Sequence, residues 1–171
     1  MTEPQSSHSF WLIDELVALT IWCLDDPDLV SCARVCKSIS RHALDSLYWT
    51  VHGLGDILNI LAPLKPITFS SRSKGKIFSN EFSRRLTPYD WDRFYCYSNR
   101  VKHFYCDGSA NGGVSLTDRA WLEIFSSIPL GHVLFPRLIS ITWTDESASE
   151  VPYLSAFSEK SCCISAVDAL D

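Results

Sequence analysis

Seven cysteines and five histidines are the residues of this 171-residue chain best suited to chemistry, and their spacing decides what they can do. A structural zinc site wants close ligand pairs such as C-x2–4-C with a second pair to follow. Cys32 and Cys36 stand four apart, which is one helical face, but no matched Cys or His pair comes after them. Cys162 and Cys163 are adjacent, a poor geometry for tetrahedral ligation. His8, His42, His52, His103 and His132 are scattered, and none forms an HExxH pair. No Ser/His/Asp or Cys/His set can be assembled. An odd cysteine count without a secretion signal argues against a disulfide framework, so most of the thiols read as small buried apolar groups. Asn111-Gly112-Gly113 reads as a turn and lacks the Gly-Lys-Ser/Thr of a phosphate loop. The expectation is a non-enzyme with no metal, no cofactor and no catalytic residue.

The elements that hold these residues are more informative than the residues themselves. Between Trp11 and Leu24 only Asp14, Glu15 and Thr20 are polar. Ile13, Val17, Ile21 and Leu24 mark one helical face, and Leu12, Leu16, Leu19 and Cys23 mark a second. A helix apolar nearly all round must be covered on more than one side. Asp26 as N-cap, Pro27 at the first helical position and Asp28 near the positive end predict a second helix, with Leu29, Cys32, Ala33 and Cys36 on its apolar side. Val35, Ile39, Ala43 and Leu47, at steps of four, predict a third, closed by Tyr48-Trp49. Roughly forty residues make too small a unit to be comfortably stable alone. A partner surface is the natural place for the surplus apolar area.

This pattern resembles the F-box, the helical motif that docks onto the Skp adaptor of cullin–RING ubiquitin ligases. Leu12-Ile13-Asp14-Glu15-Leu16 stands where the family has Leu-Pro-x-Glu-Ile/Leu. Asp28-Leu29 matches its Asp-Leu, Val35-Cys36-Lys37 its Val-Cys-Lys, and Leu47-Tyr48-Trp49 its closing Leu-Trp. Two positions depart: Ile13 replaces the usual proline, which weakens the helix start, and Ile39 stands where many members carry tryptophan. Both substitutes are still large and apolar. The resemblance implies an adaptor-binding set of Leu12, Ile13, Leu16, Leu29, Val35, Cys36, Ile39, Leu47 and Trp49, some of which must instead form the motif's own core.

Composition bounds the rest. With 46% hydrophobic residues, six tryptophans and a mean hydropathy of +0.03, the chain reads as globular and not disordered. A formal charge of −5 argues against nucleic acid as the main partner, since such domains show a basic footprint. The N-terminal apolar stretch is shorter than the roughly 20 residues of a membrane span, and the residues before it lack the basic start of a signal peptide. A cytoplasmic or nuclear protein without a membrane partner is expected.

Beyond residue 50 the chain carries an internal period. Leu64, Ile67 and Phe69 fit L-x-x-L-x-L, as do Val101, Phe104 and Cys106, and then Leu138, Ile141 and Trp143, each set 37 residues after the last. Helix-like stretches lie between, at Asp56–Leu61, Tyr89–Asn99 and Asp118–Ile128. Thr87-Pro88 and Thr117-Asp118 signal the starts of the last two, and Pro129 and Gly131 the stop of the third. Phe135-Pro136 leads into the final strand. Strand and helix alternating at a fixed period read as a leucine-rich-repeat solenoid, irregular here because the period exceeds the usual ~20–29 residues. Trp91 and Trp121, at apolar helical spacing, are expected in the core. Ser70–Arg85, rich in basic residues, reads as a solvated insertion between a strand and a helix, with contact to an acidic partner or serine phosphorylation as the alternative.

The same region resembles F-box proteins of mushroom-forming fungi. Leu61-Ala62-Pro63-Leu64, the segment from Arg84 to Phe94 (Arg-x-Leu-Thr-Pro-x-Asp-Trp-x-Arg-Phe), Arg100-Val101 and Leu134 to Leu138 occur in the family's order. In such proteins these elements lead into a long leucine-rich-repeat domain that selects substrates.

The expected fold class is therefore α/β: residues 1–9 disordered, a three-helix F-box over 10–50, a partial leucine-rich-repeat-like region over 51–146 and a divergent tail over 147–171. The tail reads as the end of a C-terminally shortened chain. Ile164, Val167 and Ala169 offer a weak fourth strand, and Tyr153, Leu154, Phe157 and Ile164 a makeshift cover for the last repeat. Without it, Ile141 and Trp143 would lie on an open sheet edge. The resemblance implies a substrate-recruiting subunit of a Skp–cullin–F-box ligase, bound to a Skp-family adaptor and through it to a cullin, presenting a protein substrate not identified by sequence. A decoy that binds the adaptor and recruits nothing, or an interaction module outside ligases, shares the same sequence signature. A small zinc enzyme ranks last.

Overall fold

The structure is a computed structural model that describes residues 10–71, 75–107, 115–144 and 163–166. The chain divides into two compact units, Met1–Trp49 and Thr50–Asp171. The expected disordered residues 1–9, the Asn111-Gly112-Gly113 turn and the tail residues Tyr153, Leu154, Phe157, Val167 and Ala169 lie outside the described residues. Among the described residues no helix is long and apolar enough to cross a membrane.

The first unit is three helices packed together. A 3-10 turn, Phe10–Leu12, leads into α1 (Asp14–Trp22), followed by α2 (Asp26–Cys32) and α3 (Lys37–Leu47). Its core is small: Val17, Ile21, Leu29 and Ala43 are buried, with Leu24, Cys32, Ala33, Ile39 and Leu47 packed against them. The start of α2 lies one residue earlier than the sequence predicts. Asp25, not Asp26, is the N-cap, with extended backbone and a carboxylate that accepts from the Asp28 N–H at 3.4 Å. Pro27 sits in the first turn, where a missing N–H costs nothing. Val35 does not belong to α3 either. Cys36 is the extended N-cap of that helix, so Val35 falls in the link from α2 and is exposed.

The second unit mixes strands and helices around a small parallel sheet. In chain order it contains β1 (Thr50–His52), α4 (Leu54–Leu58), β2 (Leu64–Ser71), β3 (Gly75–Phe82), α5 (Pro88–Ser98), β4 (His103–Asp107), α6 (Asp118–Ser127), β5 (Ser140–Thr144) and β6 (Cys163–Ala166). The parallel sheet runs β1-β4-β5-β6, each new strand added on the same side. The 37-residue period survives where β4 meets β5, with Phe104 opposite Ile141 and Cys106 opposite Trp143. It fails for the first copy. Leu64, Ile67 and Phe69 lie in β2, which pairs antiparallel with β3 in a separate two-stranded sheet. The strand beside β4 is β1, which places Val51 opposite Phe104. The fourth strand forms as β6, with Ile164 opposite Ile141.

The basic stretch Ser70–Arg85 is not a plain insertion between a strand and a helix, because most of it is β3 and the end of β2. Asn80 in β3 turns its backbone away from β2, donating to the Ser115 carbonyl at 2.8 Å and accepting from the Thr117 N–H at 3.1 Å. Its partner Pro66 therefore faces its ring nitrogen outward along the edge, where no N–H is required. Helix α4 begins before the expected Asp56. Gly53, at φ +92, makes the sharp entry that lets Leu54, Ile57 and Leu58 turn into the core.

Candidate functional site

The first unit carries more apolar surface than its core can absorb. Leu16, Leu19 and Trp22 follow one another at steps of three on α1, opposite the buried Val17 and Ile21, and all three are exposed, Leu19 to 65%. The ridge continues onto the end of α3, where Trp49 meets Trp22 edge to face with ring centroids 5.4 Å apart. Phe10 and Trp11, packed on each other at 5.1 Å, are exposed at the start of α1, as are Val30 on α2 and Val35 at 66%. Contiguous exposed apolar area of this kind marks interaction surfaces in soluble proteins.

The nine residues named from sequence divide by environment. Leu29 is buried, and Ile39 and Leu47 are half-buried against it, so these three build the unit. Ile13, Leu16, Val35, Cys36 and Trp49 are exposed. Leu12 lies in the 3-10 turn, its side chain outside the described set. Ile13 is the N-cap of α1 and makes no side-chain cap; its N–H instead closes the 3-10 turn onto the Phe10 carbonyl at 3.1 Å. Trp22 escaped the sequence reading. Its place three residues after Leu19 was the available signal, since i and i+3 are neighbours on a helix.

One polar clamp orients α1. Asp14 accepts from His42 Nε2 at 2.9 Å and pairs with Arg41, both on α3. The His42 hydrogen bond, helped by the Arg41 charge, holds the Asp14 carboxyl below its usual range. Asp14 thus joins two helices whose buried faces supply only a handful of side chains.

In the second unit, the sequence segment from Arg84 to Phe94 becomes an ion-pair corner with a buried carboxylate and a half-exposed guanidinium. Asp90 is buried and accepts from Arg84 Nη2 at 2.6 Å and Nη1 at 2.7 Å, and from the Thr87 N–H at 2.8 Å and hydroxyl at 2.7 Å. Thr87 and Asp90 form a capping box with Pro88 in the first turn. Arg84 first, then Thr87, hold the Asp90 carboxyl well below the usual carboxylate range against the opposing pull of burial. From this fixed start α5 drives Trp91 and Phe94 into the core. Phe94 and Phe104 both meet Phe135, at 6.2 and 5.5 Å, while Trp121 anchors α6, so both tryptophans are core as their spacing predicts.

Two clefts open on this unit. One, of about 230 Å3, lies between the base of the hairpin, the loop after β3 and the first turns of α6. The other, of about 290 Å3, is lined by Tyr95, Asn99 and residues 131–133 with Pro136. Burial pushes the Tyr95 hydroxyl up to about 12, so it stays neutral near pH 7. Among the described residues there is no cluster of three His, Cys, Asp or Glu able to hold a metal, and of the free thiols Cys23, Cys32, Cys36, Cys96 and Cys106 only Cys106 is buried, against the expectation that most would be. What the geometry offers is an exposed apolar face on the first unit and a polar cleft on the second. No protein family, curated protein or solved structure matches the chain.

Proposed function

We propose that this protein is a substrate-recruiting subunit of a Skp–cullin–F-box ubiquitin ligase. Its helical unit docks on a Skp-family adaptor and through it reaches a cullin, while its second unit presents a protein substrate. One observation carries the reading. The positions that the F-box resemblance marks for docking include Ile13, Leu16, Val35 and Trp49, and these are exposed apolar residues on a unit whose core is otherwise complete. Trp49 and Trp22 supply the large aromatic anchors that commonly dominate interface energy. The parallel strands β1, β4, β5 and β6, added in sequence order on one side, support a short, irregular leucine-rich-repeat-like region. Ubiquitin chemistry would reside in other subunits.

The test is co-expression with a Skp-family adaptor followed by size-exclusion chromatography, with Leu16→Asp/Leu19→Asp run beside the wild type. Both leucines are exposed, so the variant keeps its helices by circular dichroism. The expected result is a one-to-one complex that the double substitution abolishes. A well-folded wild type that elutes apart from the adaptor sinks the reading.

A further inference from the structure

The smaller cleft of the second unit gathers four cations: Lys65 on β2, Arg84 and Arg85 after β3, and Arg119 in the first turn of α6, beside Glu81 and Glu123. Both carboxylates keep their charge and also accept from neutral groups. Glu123 Oε1 accepts from the Leu86 N–H at 2.9 Å, and Glu81 Oε1 accepts from the Thr117 hydroxyl at 3.2 Å. The other Glu81 oxygen lies 3.9 Å from Arg119, whose side chain is 85% exposed and only loosely held. Arg84 is cancelled by Asp90. Lys65 and Arg85 have no side-chain hydrogen bond or ion pair among the described residues. Four cations against Glu81, Glu123 and Asp90 leave the cleft one positive charge in excess, on a chain whose net charge is −5.

The framework around these cations is fixed. Arg84 Nη1 also donates to the Arg85 carbonyl at 3.0 Å, so the Asp90 anchor holds the backbone from which Arg85 projects. Lys65 stands on a paired strand directly opposite Glu81. Arg119 rises from a helix start capped by Thr117. A guanidinium fork and an ammonium, brought to one cleft where cations outnumber carboxylates, match the oxygens of a phosphate or carboxylate.

We infer that this cleft binds an anionic group, a phosphate or a carboxylate, borne by a protein side chain or present as a free ion. The inference uses only the second unit and does not depend on adaptor docking. It is tested on the full chain by fluorescence anisotropy with three labelled peptides, Gly-Gly-X-Gly-Gly, where X is phosphoserine, glutamate or serine. Inorganic phosphate serves as competitor. The phosphoserine or glutamate peptide is expected to bind saturably and the serine peptide to bind at least about tenfold more weakly, the loss of one charge-assisted hydrogen bond or more. Lys65→Ala/Arg85→Ala should weaken the anionic peptide by a similar factor, while Arg93→Ala, an exposed cation on α5, leaves it unchanged. Competition by inorganic phosphate at equal affinity assigns the site to the free ion, and weaker competition assigns it to a protein segment. Equal binding of all three peptides, no saturable binding of any probe, or equal loss in Arg93→Ala overturns the inference.

Discussion

Replacing Asp90 by alanine should destabilise the second unit measurably. The carboxylate is buried, and four donors converge on it: two from Arg84, one from the Thr87 backbone and one from the Thr87 hydroxyl. Alanine removes the carboxylate of the capping box, the acceptor of the Thr87 N–H and hydroxyl, together about 1–2 kcal/mol because Thr87 is exposed to water. The Arg84 head is half exposed, so water replaces much of what it loses and little is added on that account. The sum is roughly 1–2 kcal/mol, a measurable share of the ~5–15 kcal/mol of a typical domain. Asp90→Asn separates the two roles. Oδ2 takes three of the four donors, so an amide oxygen placed there keeps the cap. The amide nitrogen must then face Arg84 Nη2, donor against donor, and roughly half the loss remains. The assay is urea unfolding read by hydrogen exchange on the α5 amides, which isolates this unit from the helical one. The pH dependence has a definite sign. Asp90 titrates below its unfolded value of about 3.9, so its contribution is fully present above that value and is lost as pH falls toward the folded pKa. The gap between wild type and Asp90→Ala should be constant from pH 7 to about 5 and should shrink below about 4. A gap under about 0.5 kcal/mol, or one unchanged down to pH 3, would refute the argument.

The other predictions concern the two cores. Leu29 is 3% exposed in a core of four buried residues, so Leu29→Ala should cost about 2–5 kcal/mol and melt the helical unit by circular dichroism. Leu19→Ala, on the exposed ridge, should change its stability by no more than about 0.5 kcal/mol; equal losses would show that the ridge is not free surface. Ser98 is fully buried, and its hydroxyl has no hydrogen-bond partner among the described residues. Ser98→Ala should therefore be neutral or stabilising by up to about 1 kcal/mol, and a clear drop in thermal midpoint would contradict this.

The helix starts and the aromatic core were legible in the sequence because they depend on neighbours in the chain. Thr87-Pro88 and Thr117-Asp118 each supply a cap within one turn, and α5 and α6 begin there. Trp91 and Trp121 sit at helical spacing with other apolar residues, and both are buried. Even the one-residue error at α2 is local: two consecutive aspartates compete for the cap, and the backbone conformation at Asp25 chooses between them. The roles of the apolar residues in 11–49 were not legible, because hydrophobicity is the same for a side chain that fills a core and one that covers a ridge. Leu29 and Leu16 are alike in the sequence, and only helix packing buries the first and exposes the second.

Strand partners were decided at the same level. Leu64, Ile67 and Phe69 satisfy the same pattern as Val101, Phe104 and Cys106, yet β2 pairs with the strand that follows it while β4 reaches across to β1 and β5. A period-2 pattern states which side chains point inward and not which strand lies alongside. The cleft of Lys65, Arg85 and Arg119 has the same origin. Three separate segments supply its charges, and only the fold brings them to one place.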